Sequence, residues 1–580
     1  MKPVSSLKYW WGKLLTPKSS AILDACLIGL TCGLAAALLK LAVGWLRLWR
    51  VELALKYPPW LFLPLLGLVG GVLAGWLVNR FAPETAGSGV PQVKAALSGV
   101  FIPLNGRTAL VKLLSNAIAL GSGLTLGRQG PTVYIGAALA AQLSQWIPTS
   151  PDYRRQMIAA GAAAGLASGF NAPISGVMFA VEELLHDVSG FTLGPTLLAS
   201  FIGAVVSRLW GEPSLAVNLN LASSQTSFSV REIPFYLLLG ILAGVLGVLF
   251  AKGILASVTF NQNVLRLPLP WRVGLAGLIC GLTISIFRSE FRTHISLREL
   301  LITGGTDART IAIALMVYFS LTIIAAGSGA PGGLFAPSLI IGAALGDLVG
   351  FGQVHLLGVG TPTTYALTGM GALFCVIYKA PITAVIIIFE ITRDFNLVLP
   401  LMISSAVAYL VSETIDSGSL YDRLQEMNGI LLQKELIQSD PLHTLRVAHV
   451  MPHRPLETLK VSQTINEAVK AFARSRRHAM PVLDGELLVG VVTQTDLLKL
   501  YQQLDDGNGS SYTGKTLVQE IMTTQPVTIG SMETLNDVLY KLEKHNLSRL
   551  PVTDEGKLVG MISISDIIRA ETNFLSTQRS

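Results

Sequence analysis

Charge is scarce in this chain: Asp, Glu, Lys and Arg supply only 14% of 580 residues, against 51% hydrophobic ones. That balance excludes an ordinary soluble protein, and a mean hydropathy of +0.55 makes it an integral membrane protein. Cysteine is equally sparse. Cys26, Cys32, Cys280 and Cys375 lie in or beside apolar runs without CxxC spacing or neighbouring histidines, so buried packing accounts for them. No HExxH, GxSxG or Walker loop is present, which argues against an enzyme and against nucleotide hydrolysis, and no cofactor is required. The formal charge of +7 comes without a compact basic stretch interleaved with aromatics, so nucleic acid is not an expected partner. Lys2, Lys8, Lys13 and Lys18 instead precede a first apolar run that begins near Ala21. That run is longer than a signal-peptide core and lacks a convincing cleavage site, so residues 1–19 stay attached and, by the positive-inside rule, cytoplasmic.

What the chain has in abundance is interrupted apolar sequence. Between residues 20 and 425 apolar stretches alternate with short loops, among them 109–126, 132–147, 337–350 and a long run at 382–415. Several fall short of the ~20 residues a straight span needs, and glycine or proline punctuates many. Helices that end inside the membrane explain this pattern, because backbone freed there must face protein or a water-lined cavity.

The interruptions recur. Gly-Ser-Gly at 121–123, Gly127, Pro131 and Ile-Gly-Ala-Ala-Leu at 135–139 come back 206 residues later as Gly-Ser-Gly at 327–329, Gly333, Pro337 and Ile-Gly-Ala-Ala-Leu at 341–345. Ala172-Pro173-Ile174 returns as Ala380-Pro381-Ile382, and each proline is followed nine residues on by a glutamate, Glu182 and Glu390. Two related halves, about 20–215 and 233–425, therefore make up the membrane domain, with a polar loop at 211–233 between them. Paired interrupted segments mark a transporter whose substrate site lies between its halves. A helix restarting near Gln129 to Pro131 aims free N–H groups at the break, with Gly127 and Gly130 allowing positive φ or close approach. Such a start carries about half a positive charge and forms an anion site.

Other segments supply uncharged donors. Gly87-Ser88-Gly89-Val90-Pro91 offers a hydroxyl on permissive backbone, Gly333-Leu334-Phe335-Ala336-Pro337 opens the second-half helix, and Tyr421 adds a phenol. Partial charges of this kind let an anion both bind and leave. Lys112 and Arg128 lie near the same stretch; they either raise the local anion potential or pair with a carboxylate.

As a set, GSGVP at 87–91, GRQGP at 127–131, GGLFAP at 332–337 and Tyr421 resemble the CLC family of chloride channels and proton-coupled chloride antiporters, in order and spacing throughout 20–425. The resemblance implies an all-α polytopic membrane domain of two inverted repeats with broken helices. It also implies a homodimer with one pathway per subunit, and a chloride held by Ser88, Tyr421, the start of the helix at Gln129 and the N–H groups of Leu334 and Phe335. Serine at 88, where nitrate-selective members tend to carry proline, favours chloride. The family usually has a glutamate gate where this chain has Gln129, and an amide carries no charge and no titratable proton. Gln129 thus resembles the gate held in its protonated, open form. Glu183 sits where antiporters place an internal proton-relay carboxylate, whereas Glu182, with its counterpart Glu390, suits an ion pair or a helix end. Glu183 beside Gln129 fits either a naturally uncoupled member or an antiporter whose gate residue was substituted.

Past Tyr421 the chain turns soluble and repeats again at 70 residues: Pro481-Val482 as Pro551-Val552, Gly490 as Gly560, Asp496 as Asp566. These copies, 446–504 and 516–575, follow a linker at 426–445, are joined by a second at 505–515, and resemble a tandem α/β CBS pair. That module often binds adenine nucleotides, and the resemblance implies Thr493 with Asp496, and Ser563 with Asp566, as the contacts to phosphate and ribose. The alternative use of each pair is to cap the helix that follows.

The expected function is chloride transport, passive and uncoupled because of Gln129, in a bacterial-type inner or plasma membrane with both termini cytoplasmic. The main alternative is a proton-coupled chloride antiporter. A CBS-bearing cation transporter would need carboxylates or carbonyl rings at the breaks, where this chain presents N–H donors, Ser, Arg and Gln.

Overall fold

A computed structural model describes residues 17–146, 151–185, 190–210, 228–286, 307–358, 361–427, 445–452, 456–475, 478–505, 516–545 and 547–577. The lysines before Pro17, His186, most of the loop at 211–233 and most of both linkers, 426–445 and 505–515, lie outside the described residues. Two compact units emerge, Met1–Leu432 and Gln433–Ser580.

The first unit is helical. Its first half comprises α1 (Pro17–Lys56), α2 (Pro59–Phe81), α3 (Val90–Leu97), α4 (Gly106–Ser122), α5 (Gln129–Trp146), α6 (Pro151–Phe170), α7 (Pro173–Phe179) and α8 (Gly190–Trp210); α7 runs on into a wider π turn over Ala180–Leu185. The second half comprises α9 (Ile233–Phe260), α10 (Leu269–Ile286), α11 (Ala308–Gly327), α12 (Phe335–Leu357), α13 (Pro362–Tyr378), α14 (Pro381–Thr392) and α15 (Val398–Ile415), and α16 (Leu420–Met427) closes the unit. Among the described residues eight helices are long and apolar enough to cross a membrane. The long run at 382–415 is broken: Arg393 turns left-handed at φ 59°, and a short turn at Phe395–Leu397 separates α14 from α15. The polar pair Arg393-Asp394 was the signal for that break.

Small residues let these helices touch backbone to backbone. A Cβ built on Gly136 of α5 would lie 2.1 Å from the Gly161 carbonyl oxygen of α6, and one on Gly342 of α12 would lie 2.3 Å from that of Gly369 in α13. The same contact is thus made once in each half. Across the halves α2 and α10 meet likewise, since a Cβ on Gly277 would stand 2.1 Å from the Gly67 oxygen.

The second unit holds one six-stranded sheet. Strands β1 (Leu459–Lys460), β2 (Ala479–Asp484), β3 (Leu487–Thr493), β6 (Lys557–Ser563) and β5 (Arg549–Asp554) lie in that order, with β4 (Thr523–Thr524) on β3. β2–β3 and β5–β6 are matching antiparallel hairpins, and Leu487↔Lys557 joins them. The helices on this sheet are α17 (Val447–Val450), α18 (Ile465–Ser475), α19 (Gln494–Asp505), α20 (Leu535–Lys544) and α21 (Ile564–Thr577). Each copy lends its opening segment to the other. Val447 and Met451 pack with Ile529, Val538 and Ile562, while Val518 packs with Leu459, Val482 and Val492. Met451 lies against Gly560 and Met522 against Gly490, where a larger residue than glycine would collide with the sulfur.

The close contact between the halves predicts that Gly277→Val lowers stability by about 1–3 kcal/mol through overpacking, read as a fall in the thermal midpoint of the detergent-solubilised protein. Gly352→Ala, at a site with nothing within 4 Å, should leave that midpoint unchanged or raise it.

Candidate functional site

Where the two broken helices begin, the halves pair through bare backbone. Gly127 and Gly333 form an antiparallel bridge, each N–H donating to the other's carbonyl at 2.7 Å. Beside it the Gly87 N–H donates to Gly329 O at 3.1 Å and the Gly332 N–H to Gly87 O at 3.2 Å. Helix α5 starts at Gln129 and α12 at Phe335, immediately past the bridge. In both, the fourth residue's N–H and hydroxyl close the first turn: Thr132 onto Arg128 O and Gln129 O, Ser338 onto Leu334 O and Phe335 O. The glycines serve close approach rather than turning. Neither Gly127 nor Gly130 has positive φ, contrary to one of the two uses expected of them; Gly123 and Gly329 do the turning instead. A Cβ on Gly130 would lie 2.7 Å from Ser88 Oγ and 3.0 Å from Gly333 Cα.

Ser88 therefore sits against the start of α5, and its Oγ is 3.1 Å from the Tyr421 hydroxyl. Phe335 opens α12 with its ring stacked on Tyr378 at 4.6 Å and edge-on to Phe170 and Phe179. Tyr378 in turn packs on Tyr421 at 5.3 Å. Ser88, Leu334, Phe335 and Tyr421, distant in sequence, thus belong to one buried neighbourhood, together with the Gln129 side chain at 3% exposure. The Gln129 Oε1 is buried without a hydrogen-bond partner among the described residues. Tyr378 carries no motif, and only its aromatic contacts reveal it.

The two cations divide in role. Lys112 is fully buried and donates to the carbonyls of Thr85 at 2.7 Å and Gly87 at 2.6 Å, with the Tyr134 ring 5.6 Å away. It braces the backbone that presents Ser88, so its contacts are carbonyls and not the carboxylate considered from sequence. Arg128 lies near enough to Lys40 for the two charges to act on each other, and Lys40 donates to Asn171 Oδ1 at 2.9 Å and Ser207 Oγ at 2.6 Å.

The paired glutamates hold the other half's helix. Glu182 accepts from the N–H groups of Ile382 and Thr383 and from the Thr383 hydroxyl at 3.1, 2.8 and 2.7 Å. Glu390 accepts from Ile174 and Ser175 in the same way at 3.1, 2.9 and 2.7 Å. Each carboxylate thereby caps a helix start in the opposite half, which satisfies orphan N–H groups and complements the helix dipole. Glu183 is buried in the π turn and behaves differently. Its Oε1 accepts from Lys94 Nζ and from Ser419 Oγ, both at 3.0 Å, and Lys94 also contacts Asp422 Oδ1 at 2.7 Å. Sequence reasoning missed Lys94 and Asp422, although each lies within a few residues of a quoted motif.

In the second unit Asp496 accepts from the Thr493 N–H and hydroxyl at 2.8 and 2.6 Å, and Asp566 accepts likewise from Ser563, the N–H at 3.0 Å. Both pairs cap a helix start, the structural use weighed above. At the opposite, turn end of the β5–β6 hairpin, hydrogen bonds from Ser531 hold the Asp554 carboxyl below its usual range. No group of three or more His, Cys, Asp or Glu side chains able to hold a metal occurs among the described residues.

An inverted pair of halves meeting at two helix starts, with hydroxyl groups beside them, has the form of a membrane transporter whose substrate site lies between its halves. Family models agree with that class: the voltage gated chloride channel model matches residues 70–413, and the CBS domain model matches 447–503 and 518–573. The chain is 30% identical over 459 residues to the H(+)/Cl(-) exchange transporter ClcA of Vibrio cholerae, covering 76% of this chain and 95% of that one. To ClcA of Vibrio parahaemolyticus it is 31% identical over 438 residues, covering 73% and 92%. A slow cyanobacterial Cl−/H+ antiporter superposes with a TM-score of 0.65 at 29% identity, over 73% of this chain and all of that one. A eukaryotic CLC transporter shares the fold over 94% of this chain and 97% of its own, with a TM-score of 0.62 at 22% identity. The chain belongs to the CLC family of voltage-gated chloride channels and H+/Cl− exchangers, and carries a C-terminal CBS pair.

The reciprocal caps predict that Glu182→Ala and Glu390→Ala each cost about 1–3 kcal/mol, the worth of hydrogen bonds to a charged group. Thermal unfolding in detergent checks this, and the two losses should be of similar size because the caps are equivalent.

Proposed function

We propose that this chain moves chloride passively, without exchanging protons, through a pathway in which Ser88, Tyr421 and the starts of α5 and α12 hold the ion. The observation that carries the reading is Gln129, buried at the first position of α5. A carboxylate there would compete with chloride for the same N–H groups until protonated; an amide does neither. Several neutral donors around the site suit an ion that must leave as readily as it binds. The subunit works as one of a homodimer pair, each with its own pathway and with both termini in the cytoplasm. Lys112 acts through the backbone it braces, and Arg128 adds positive potential. The proton-coupled alternative rests on Glu183, retained although Gln129 cannot pass it a proton.

An adenine nucleotide at the CBS pair is a separate proposal. Thr493 and Ser563 are engaged with Asp496 and Asp566, so a nucleotide must take over hydroxyls now used as caps. Titration calorimetry with AMP should give heat that Asp496→Ala and Asp566→Ala reduce; no heat with the unmutated chain withdraws this proposal.

Liposomes containing the protein should release chloride down its gradient, with no uphill proton movement. Gln129→Glu should slow chloride flux, make it acid-dependent and bring proton movement with it. Proton pumping by the Gln129 chain itself would overturn the reading.

A further inference from the structure

The cluster around Lys94 is unbalanced: one ammonium faces two carboxylates, Glu183 at 3.0 Å and Asp422 at 2.7 Å. The side chains of Lys94 and Glu183 are 4% and 3% exposed, so one negative charge is left uncompensated inside the protein, close to a site for an anion. A buried charge of this kind is costly, and a single proton cancels it. Asp422 is the member in contact with solvent, at 15% exposure, and is where a proton from water gains access. Facing Glu183 are Lys94 from α3, and Ser419 and Asp422 from the start of α16, with the Tyr421 and Tyr378 phenols beyond.

The cluster also joins the two elements that carry the anion-site hydroxyls. Helix α3 follows Ser88, and α16 holds Tyr421. They are stitched at three levels: Ser88 to Tyr421 at 3.1 Å, the Gln425 amide to the Pro91 carbonyl, and Lys94 to Asp422. Asp422 is further fixed by the Ser419 N–H at 3.2 Å, and the Ser419 hydroxyl reaches Glu183. While both carboxylates are ionised, Lys94 is shared between them. With Glu183 neutral, the ammonium belongs to Asp422 alone, and α16 is drawn onto α3.

We propose that Lys94, Glu183 and Asp422 hold one exchangeable proton between them, and that Lys94 is a positioning residue which passes its arrival to the Ser88–Tyr421 pair as tighter chloride binding. This rests on the chloride site proposed above. Coupling of this kind requires only that chloride favour one of the two arrangements of the ammonium.

The test is chloride titration calorimetry on the full detergent-solubilised chain, in acid and in mildly alkaline buffer. The unmutated chain should bind chloride at least about fivefold more tightly in acid. Glu183→Gln, which copies the protonated state, should bind equally at both pH values and with the acid affinity. Lys94→Met should bind weakly at both, and Lys94→Arg should restore the pH dependence. A pH dependence that survives in Glu183→Gln, or its absence from the unmutated chain, overturns the proposal, as does full affinity in Lys94→Met. Absence of chloride heat from the unmutated chain would instead remove the chloride site on which the proposal stands.

Discussion

The membrane unit depends on the exchange of two backbone hydrogen bonds between Gly127 and Gly333. A helix that stops inside a bilayer leaves N–H and carbonyl groups with no water to receive them, each costing several kcal/mol if orphaned. Here the break in one half is the partner of the break in the other. Neither interruption is tenable alone, so the halves must meet where their helices begin. The proposed anion site lies at that meeting point, beside helix starts whose first N–H groups have no carbonyl partner within their own helix.

Charge is disposed by the same economy. Glu182 and Glu390 are spent on helix starts in the opposite half, Lys112 on carbonyls, and Lys40 on Asn171 and Ser207. Such groups are far costlier unpaired than their net contribution when paired. Gln129 and the Lys94 cluster are paired less completely: the first has a buried acceptor with no partner among the described residues, and the second sets two carboxylates on one ammonium. Both depart from full pairing, and both adjoin the residues around Ser88 and Tyr421. Departures of this sort are where function is to be sought, since packing alone would not retain them.

Much of the architecture could be read without coordinates. The 206-residue recurrence of Gly127, Pro131 and the Ile-Gly-Ala-Ala-Leu run located both broken helices, and α5 begins at Gln129, inside the expected interval. Periodic strand and turn signals in the soluble region located both hairpins. Other features were hidden because they depend on partners far away in the chain. Tyr378 looks like any apolar-helix tyrosine until Phe335 stacks on it. Lys94 lies three residues past Pro91, and its two carboxylates come from 89 and 328 positions further on. The module boundaries at 446 and 516 follow the repeat, whereas the cores do not, since each opening segment is buried by the other copy.

From its residues alone this chain declared its solvent, its duplication and its chemistry: too little charge for water, the same glycine-proline interruption twice, and neutral donors at each. Local composition determines those properties. Which groups face one another was decided only by folding, because inversion of the halves brings Gly127 to Gly333 and Glu182 to Thr383, and because α16 returns Tyr421 and Asp422 to the helix that follows Ser88. Pairings across hundreds of residues leave no periodicity in the sequence; they exist only where buried backbone and buried charge have had to find their counterparts.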